Sequence, residues 1–193
     1  MANPCGDGTP DGDWQRYLNF RCTGCGNCCR RTHVLVTDED LRRIERGVGL
    51  PVADFVHFVP EADLKLEKRS AWWVRFDSGR GAMALRHRPG GACMFLDEEQ
   101  RCTIYEHRPV TCREHPFEVE LSDTGALNFI ALSDIVECPH DWDGNISRRD
   151  VIKTSRWNEK QSDVFLDDVG RWNRRRKGRK TRPGFLRYLG FDV

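Results

Sequence analysis

Apolar positions recur with two periods along this chain. Leu41, Ile44 and Val48 lie three or four residues apart, the spacing of one helix face, and Thr37 with Asp40 forms a variant capping box ahead of them. A helix is expected there, ended by Gly47 and Gly49. PVADFVHFV (51–59) predicts a second short helix, with Pro51 in the first turn, Val52, Phe55, Val56 and Val59 on one side, and Pro60 closing it. HVLV (33–36) reads as a short strand. AWWVRF and AMALRH, split by the turn sequence DSGRG, predict a hairpin, and FEVEL and ALNFIAL around SDTG predict another. Ile152, Trp157, Val164, Phe165, Val169 and Trp172 fall close to one face of a C-terminal helix, with Trp157 and Trp172 as core anchors.

These elements describe an α+β chain of short helices, two β-hairpins and a C-terminal helix, a small irregular domain organised by metal rather than by a large sheet. Three segments follow from the composition. Residues 1–13 form a Gly/Pro/Asp-rich lead expected to be disordered, 14–145 the cysteine-bearing domain, and 146–193 the C-terminal helix with a basic tail. No solenoid period is present.

Charge narrows the field. With 31 basic and 30 acidic residues the net charge is +1, so no whole-molecule field argues for nucleic acid or membrane. No basic, apolar leader opens the chain, and no window approaches the roughly 18 apolar residues of a membrane span. A cytoplasmic protein is the expectation, and there clustered cysteines favour metal over disulfides.

RCTGCGNCCRR (21–31) holds Cys22, Cys25, Cys28 and Cys29, and Cys93, Cys102, Cys112 and Cys138 follow; Cys5 stands apart. Eight thiols are enough for two sites of four, whether zinc or an iron-sulfur cluster. The CxxCxxC run and the Cys138-Pro139 pair are similar to ferredoxin spacing, while two structural zincs are the rival reading. Adjacent side chains diverge, so Cys28 and Cys29 are expected to serve different sites. Cys22, Cys25 and Cys28 then surround one centre and Cys29 a second, the remaining four completing the count. Arg21, Arg30, Arg101 and Arg113 adjoin cysteines and are expected to offset a four-thiolate charge of about minus two.

CTGCGNCCR, then CMFLDEEQRCTIYEHRPVTCREHPF, then Cys138-Pro139, resembles the bacterial YkgJ-like cysteine-cluster family, the CxxCxxCC zinc- or iron-chelating domains, over about residues 20–140. The resemblance implies that the eight cysteines are the ligands, and Cys5 has no counterpart in the pattern. His115 stands where the family pattern has an aromatic residue before Pro116. Some members are called iron-sulfur oxidoreductases. A related cysteine block accompanies flagellin lysine methylases, an activity that resemblance over the cluster does not transfer.

Other candidates carry less. His115, and after it His87, His107 and His140, lie near cysteines in sequence, and a lone histidine is more often unspecialised than a ligand. Arg108-Pro109 is expected to shape the turn that presents Cys112. The basic stretch, including Arg174 to Arg182, could contact nucleic acid or an acidic partner but reads first as a solvated helix end. No nucleophile triad, P-loop or dinucleotide fingerprint appears. Three functions therefore stay open: a metal protein with structural or electron-transfer clusters, an iron-sulfur redox or protein-modifying enzyme, and a zinc-stabilised interaction module.

Overall fold

In the computed structural model, residues 14–134 and 137–193 are described; the expected lead over 1–13, with Cys5, lies outside the described residues. A 3-10 turn over Trp14–Asn19 leads into β1 (Arg21–Cys22) and α1 (Cys28–Arg31). Then come α2 (Asp38–Val48), α3 (Val52–Phe55), β2 (Val56–Pro60), β3 (Val74–Phe76) and β4 (Gly79–Leu85). The second half carries α4 (Val110–Glu114), β5 (Phe117–Leu121), β6 (Leu127–Leu132), β7 (His140–Asp141), α5 (Arg148–Arg174) and α6 (Arg182–Tyr188). The sheets are small and antiparallel, in orders β1-β7, β2-β4-β3 and β5-β6, so the architecture is α+β.

Helix α2 starts as its sequence dictates. The Thr37 hydroxyl accepts from the Asp40 N–H and the Asp40 carboxylate accepts from the Thr37 N–H, while Gly49 closes the helix at φ 68°. PVADFVHFV departs from expectation. It makes a single helical turn and then turns into β2, because Val56 to Pro60 pair residue for residue with Leu85 to Gly81. Ladder bonds and β-branched packing override the helical spacing. HVLV forms only an isolated bridge, Leu35 to Ala84, with the Val36 and Leu85 amides bonded to Met83 and Val34 carbonyls. In the first hairpin the turn shrinks to Asp77-Ser78, and both Gly79 and Gly81 join β4. Gly81 is required there for space: a Cβ would lie 2.9 Å from the Val59 carbonyl oxygen.

The apolar side chains form two cores. The main one gathers α2, the three-stranded sheet, Phe165, Val169 and Trp172 of α5, and Phe185, Leu186, Leu189 and Phe191 from the C-terminus. The other packs Tyr17 and Phe20 against Leu127, Ile130, Leu132 and Val151. The 27-residue α5 serves both. Its expected apolar face is partly corrected, since Val164 is 55% exposed while Trp157 is half-buried beneath Arg43 and Arg113. The basic stretch is partly engaged with the protein: Arg175 lies over Trp172 and Tyr188, and Lys180 donates to the Asn173 carbonyl. No helix among the described residues is long and apolar enough to cross a membrane.

Candidate metal centre

The first cysteine block is a curl of backbone closed by one turn of helix. Gly24 and Gly26 both take φ 70°, a conformation other residues resist. The Gly24 N–H points at the Cys22 sulfur at 3.4 Å. Cys28 opens α1, the Cys29 N–H donates to the Gly26 carbonyl at 3.1 Å, and the two adjacent sulfurs lie 4.0 Å apart. Pairing of β1 with β7 then draws Cys138 alongside. The Thr23 hydroxyl donates to the Pro139 carbonyl at 2.8 Å and the Asn27 amide to the Glu137 carbonyl at 3.0 Å.

The second block approaches from the main core. Cys93 bridges His87, Cys102 bridges Leu96, and the Cys93 N–H donates to the Cys29 carbonyl at 2.6 Å. The Cys93 sulfur is hydrogen-bonded by the main chain of Phe95 and the Cys102 sulfur by that of Ile104. Cys22, Cys93 and Cys102 thus share one local device, an amide two residues on that faces the sulfur. Such donors favour a thiolate. Cys112 comes from α4, whose first N–H, that of Val110, is held by the buried Asp40 carboxylate at 3.0 Å.

Electrostatics divide the sulfurs into two groups that meet at Cys28. Cys138 is pushed up to about 11 by burial and then by Cys22, Cys25 and Cys28. Cys112 is raised by burial and then by Cys93, Cys28 and Cys102; Cys93 and Cys102 are raised by burial and also sense Cys28. Within the adjacent pair, the hydrogen bond between the two sulfurs lowers Cys28 to about 6, helped by main-chain amides and Arg108, while Cys29 is raised. The packing follows the same division: Cys29, Cys102 and Cys112 lie against the main core, which includes Cys93, and Cys138 against the other.

The arginines differ from expectation. Arg21 is spent on Asp141 and Asp143, at 2.8 and 2.7 Å. Arg30 donates to the Cys25 carbonyl, and Arg113 to the carbonyls of Arg108 and Glu106. Arg101 is exposed. The cation that favours the Cys28 and Cys102 thiolates is Arg108, and Arg88 does the same for Cys93. Arg108 reaches Cys28 across the fold, while Arg108 and Arg88 lie within a few residues of Cys102 and Cys93 without adjoining them. His115 is lowered by burial alone, with no cysteine among the causes.

All eight described cysteines are free thiols. Among the described residues no three His, Cys, Asp or Glu side chains are arranged to hold an ion as they stand. The donor chemistry nevertheless fits a thiophilic metal: soft sulfurs, main-chain donors on four of them (Cys22, Cys28, Cys93 and Cys102) and the nearby charge of Arg108 and Arg88 suit zinc or an iron-sulfur cluster.

The sequence profile of CxxCxxCC, "Putative zinc- or iron-chelating domain", matches residues 21–134. The chain belongs to this family. CxxCxxCC membership makes it a metal-binding cysteine domain of the zinc or iron class. An uncharacterized protein of Methanocaldococcus jannaschii is 32% identical over 109 residues, 54% of this chain and 50% of that protein, so the match spans about half of the relative's length. No solved structure matches.

Proposed function

We propose that this CxxCxxCC protein holds two thiolate metal centres that join its two cores, with a structural or electron-transfer role. Cys22, Cys25, Cys28 and Cys138 hold one, and Cys29, Cys93, Cys102 and Cys112 the other. The observation that carries this reading is the repeated amide-to-sulfur contact at Cys22, Cys93 and Cys102, which stabilises the charged form a metal requires. Cys28, depressed to about 6 and electrostatically in touch with both groups, sits at their junction. Four thiolates at each centre leave no open position, which favours structure or electron transfer over Lewis-acid catalysis.

Metal and acid-labile sulfide content, with a visible spectrum, on protein purified without oxygen, tests this. Iron with sulfide supports electron transfer through an iron-sulfur centre. About two zinc ions per chain without colour support a structural pair. Protein that retains neither metal, with the eight proposed ligand thiols freely reactive after anaerobic loading, overturns the reading.

A further inference from the structure

Three histidines from distant parts of the chain come together, one of them, His87, on the bridge to Cys93. His57 lies on β2, His33 two residues before Leu35, and His87 just after β4. Leu35 and His57 both pair with Ala84, from opposite sides of β4, so strand alternation places His33 and His57 on one face, opposite Val34 and Val36. Ring centroids are 4.7 Å apart for His33 and His87, 6.1 Å for His33 and His57, and 6.4 Å for His57 and His87.

Each ring keeps one buried nitrogen without a hydrogen-bond partner: Nδ1 of His33, Nε2 of His57 and Nε2 of His87. Buried polar atoms are paired as a rule, so three orphans in one cluster call for a ligand. The main chain of Leu85 bonds the His57 ring, and that of Thr32 the His87 ring. With Nε2 orphaned, those bonds fall to Nδ1, which fixes the tautomer and leaves Nε2 its lone pair, the arrangement of a metal-bound imidazole. Arg86, which faces His57, donates to the Ala53 and Val56 carbonyls.

We propose that His33, His57 and His87 form a metal site of their own, separate from the thiols, which takes one divalent ion of the zinc type through imidazole nitrogens. Neutral imidazole suits zinc, copper, iron and nickel, whereas magnesium and calcium prefer oxygen. Three histidines leave zinc a fourth position for water or a substrate atom, unlike the all-cysteine centres. The rings of His33 and His87 are stacked at 10°, so their in-plane lone pairs do not meet on one point. One ring must turn about its Cβ–Cγ bond, a broad torsion, and binding therefore breaks the stack.

The test uses the full chain with its cysteine centres loaded, titrated with Zn²⁺ and followed by metal content after gel filtration and by imidazole nitrogen resonances. The wild type is expected to retain about one zinc more than His57→Gln or His87→Gln, with thiol titre equal in all three. The Nε2 resonances of His57 and His87 and the Nδ1 resonance of His33 should shift together on binding. Equal zinc in wild type and both variants, or bound zinc with unmoved imidazole resonances, overturns the site. If a variant fails to fold, the wild-type resonances alone decide. Because the thiol titre is read separately, loss of the cysteine centres and loss of the histidine site are distinguishable.

Discussion

The main-chain N–H of Cys93 donates to the carbonyl of Cys29 at 2.6 Å, tying the second cysteine block to the helix that ends the first. Cys93 is also part of the main core at 5% exposure, whereas Cys22 is exposed and Cys138 packs on the other core. Cys93→Ala should therefore empty one centre and spare the other, lowering bound metal by about half if the groups each hold one ion. Metal analysis of the purified variant checks this, and complete loss or no loss would show that the eight sulfurs do not divide in this way.

Metal-free protein should expose an order of thiol reactivity. Cys28, at about 6, is largely thiolate at pH 7, while burial holds Cys112 in its neutral form. The sign follows from the thiolate being the nucleophile. Alkylation at Cys28 is fast above about pH 6 and slows as pH falls through that value, while Cys112 stays slow throughout. Mass spectrometry of briefly alkylated apo protein reads the order, and Cys112 labelled before Cys28 would contradict it.

Asp40 links the main core to the metal region. At 1% exposure its carboxylate accepts from the Thr37 N–H at 3.1 Å, from Arg43 at 2.5 Å and from the Val110 N–H at 3.0 Å, the last at the start of the helix that carries Cys112. Asp40→Ala leaves the Arg43 charge half-buried and two amides without their acceptor. The expected cost is about 3–5 kcal/mol of stability, the range for breaking one side of a buried pair. Denaturant melts of metal-loaded protein measure it; a loss below about 1 kcal/mol would mean water replaces the carboxylate.

The parts of this molecule legible in its sequence are those set by short-range chemistry. Thr37 and Asp40 announce α2 because a capping box needs only four consecutive residues, and the cysteines announce themselves by spacing. What was not legible depends on partners far along the chain. Val56 to Val59 have helical spacing, yet become a strand because β4 arrives to pair with them. Arg108, expected to shape a turn, is the arginine that acts on Cys28 and Cys102, while Arg21 beside Cys22 is taken by two aspartates. The histidine cluster left one faint signal, His87 near Cys93 in sequence, but the other two rings reach it only through the sheet register. The end of the chain read as a basic tail, although Phe185, Leu186, Leu189 and Phe191 within it are buried in the main core.

A glycine near the end of α2 gives the sharpest test of packing between that helix and the cysteine block. Alanine is the better helix former by about 1 kcal/mol, so Gly47→Ala would stabilise an isolated helix. Here a Cβ at position 47 would lie 2.3 Å from Cγ of His107, in the 3-10 turn between Cys102 and Cys112. Cγ is the root of the imidazole, so rotating the ring about Cβ–Cγ does not relieve the clash; χ1 or the turn itself must move. Overpacking of this kind costs about 1–3 kcal/mol, enough to reverse the propensity gain. Gly47→Ala should therefore destabilise, and His107→Ala in the same chain should recover most of the loss, a coupling that a double-mutant cycle in denaturant reads directly. Because the turn lies between two cysteines of one proposed centre, the single variant should also bind metal more weakly than the double. A stabilised Gly47→Ala would show that His107 swings away at no cost and that α2 does not brace the cysteine block there.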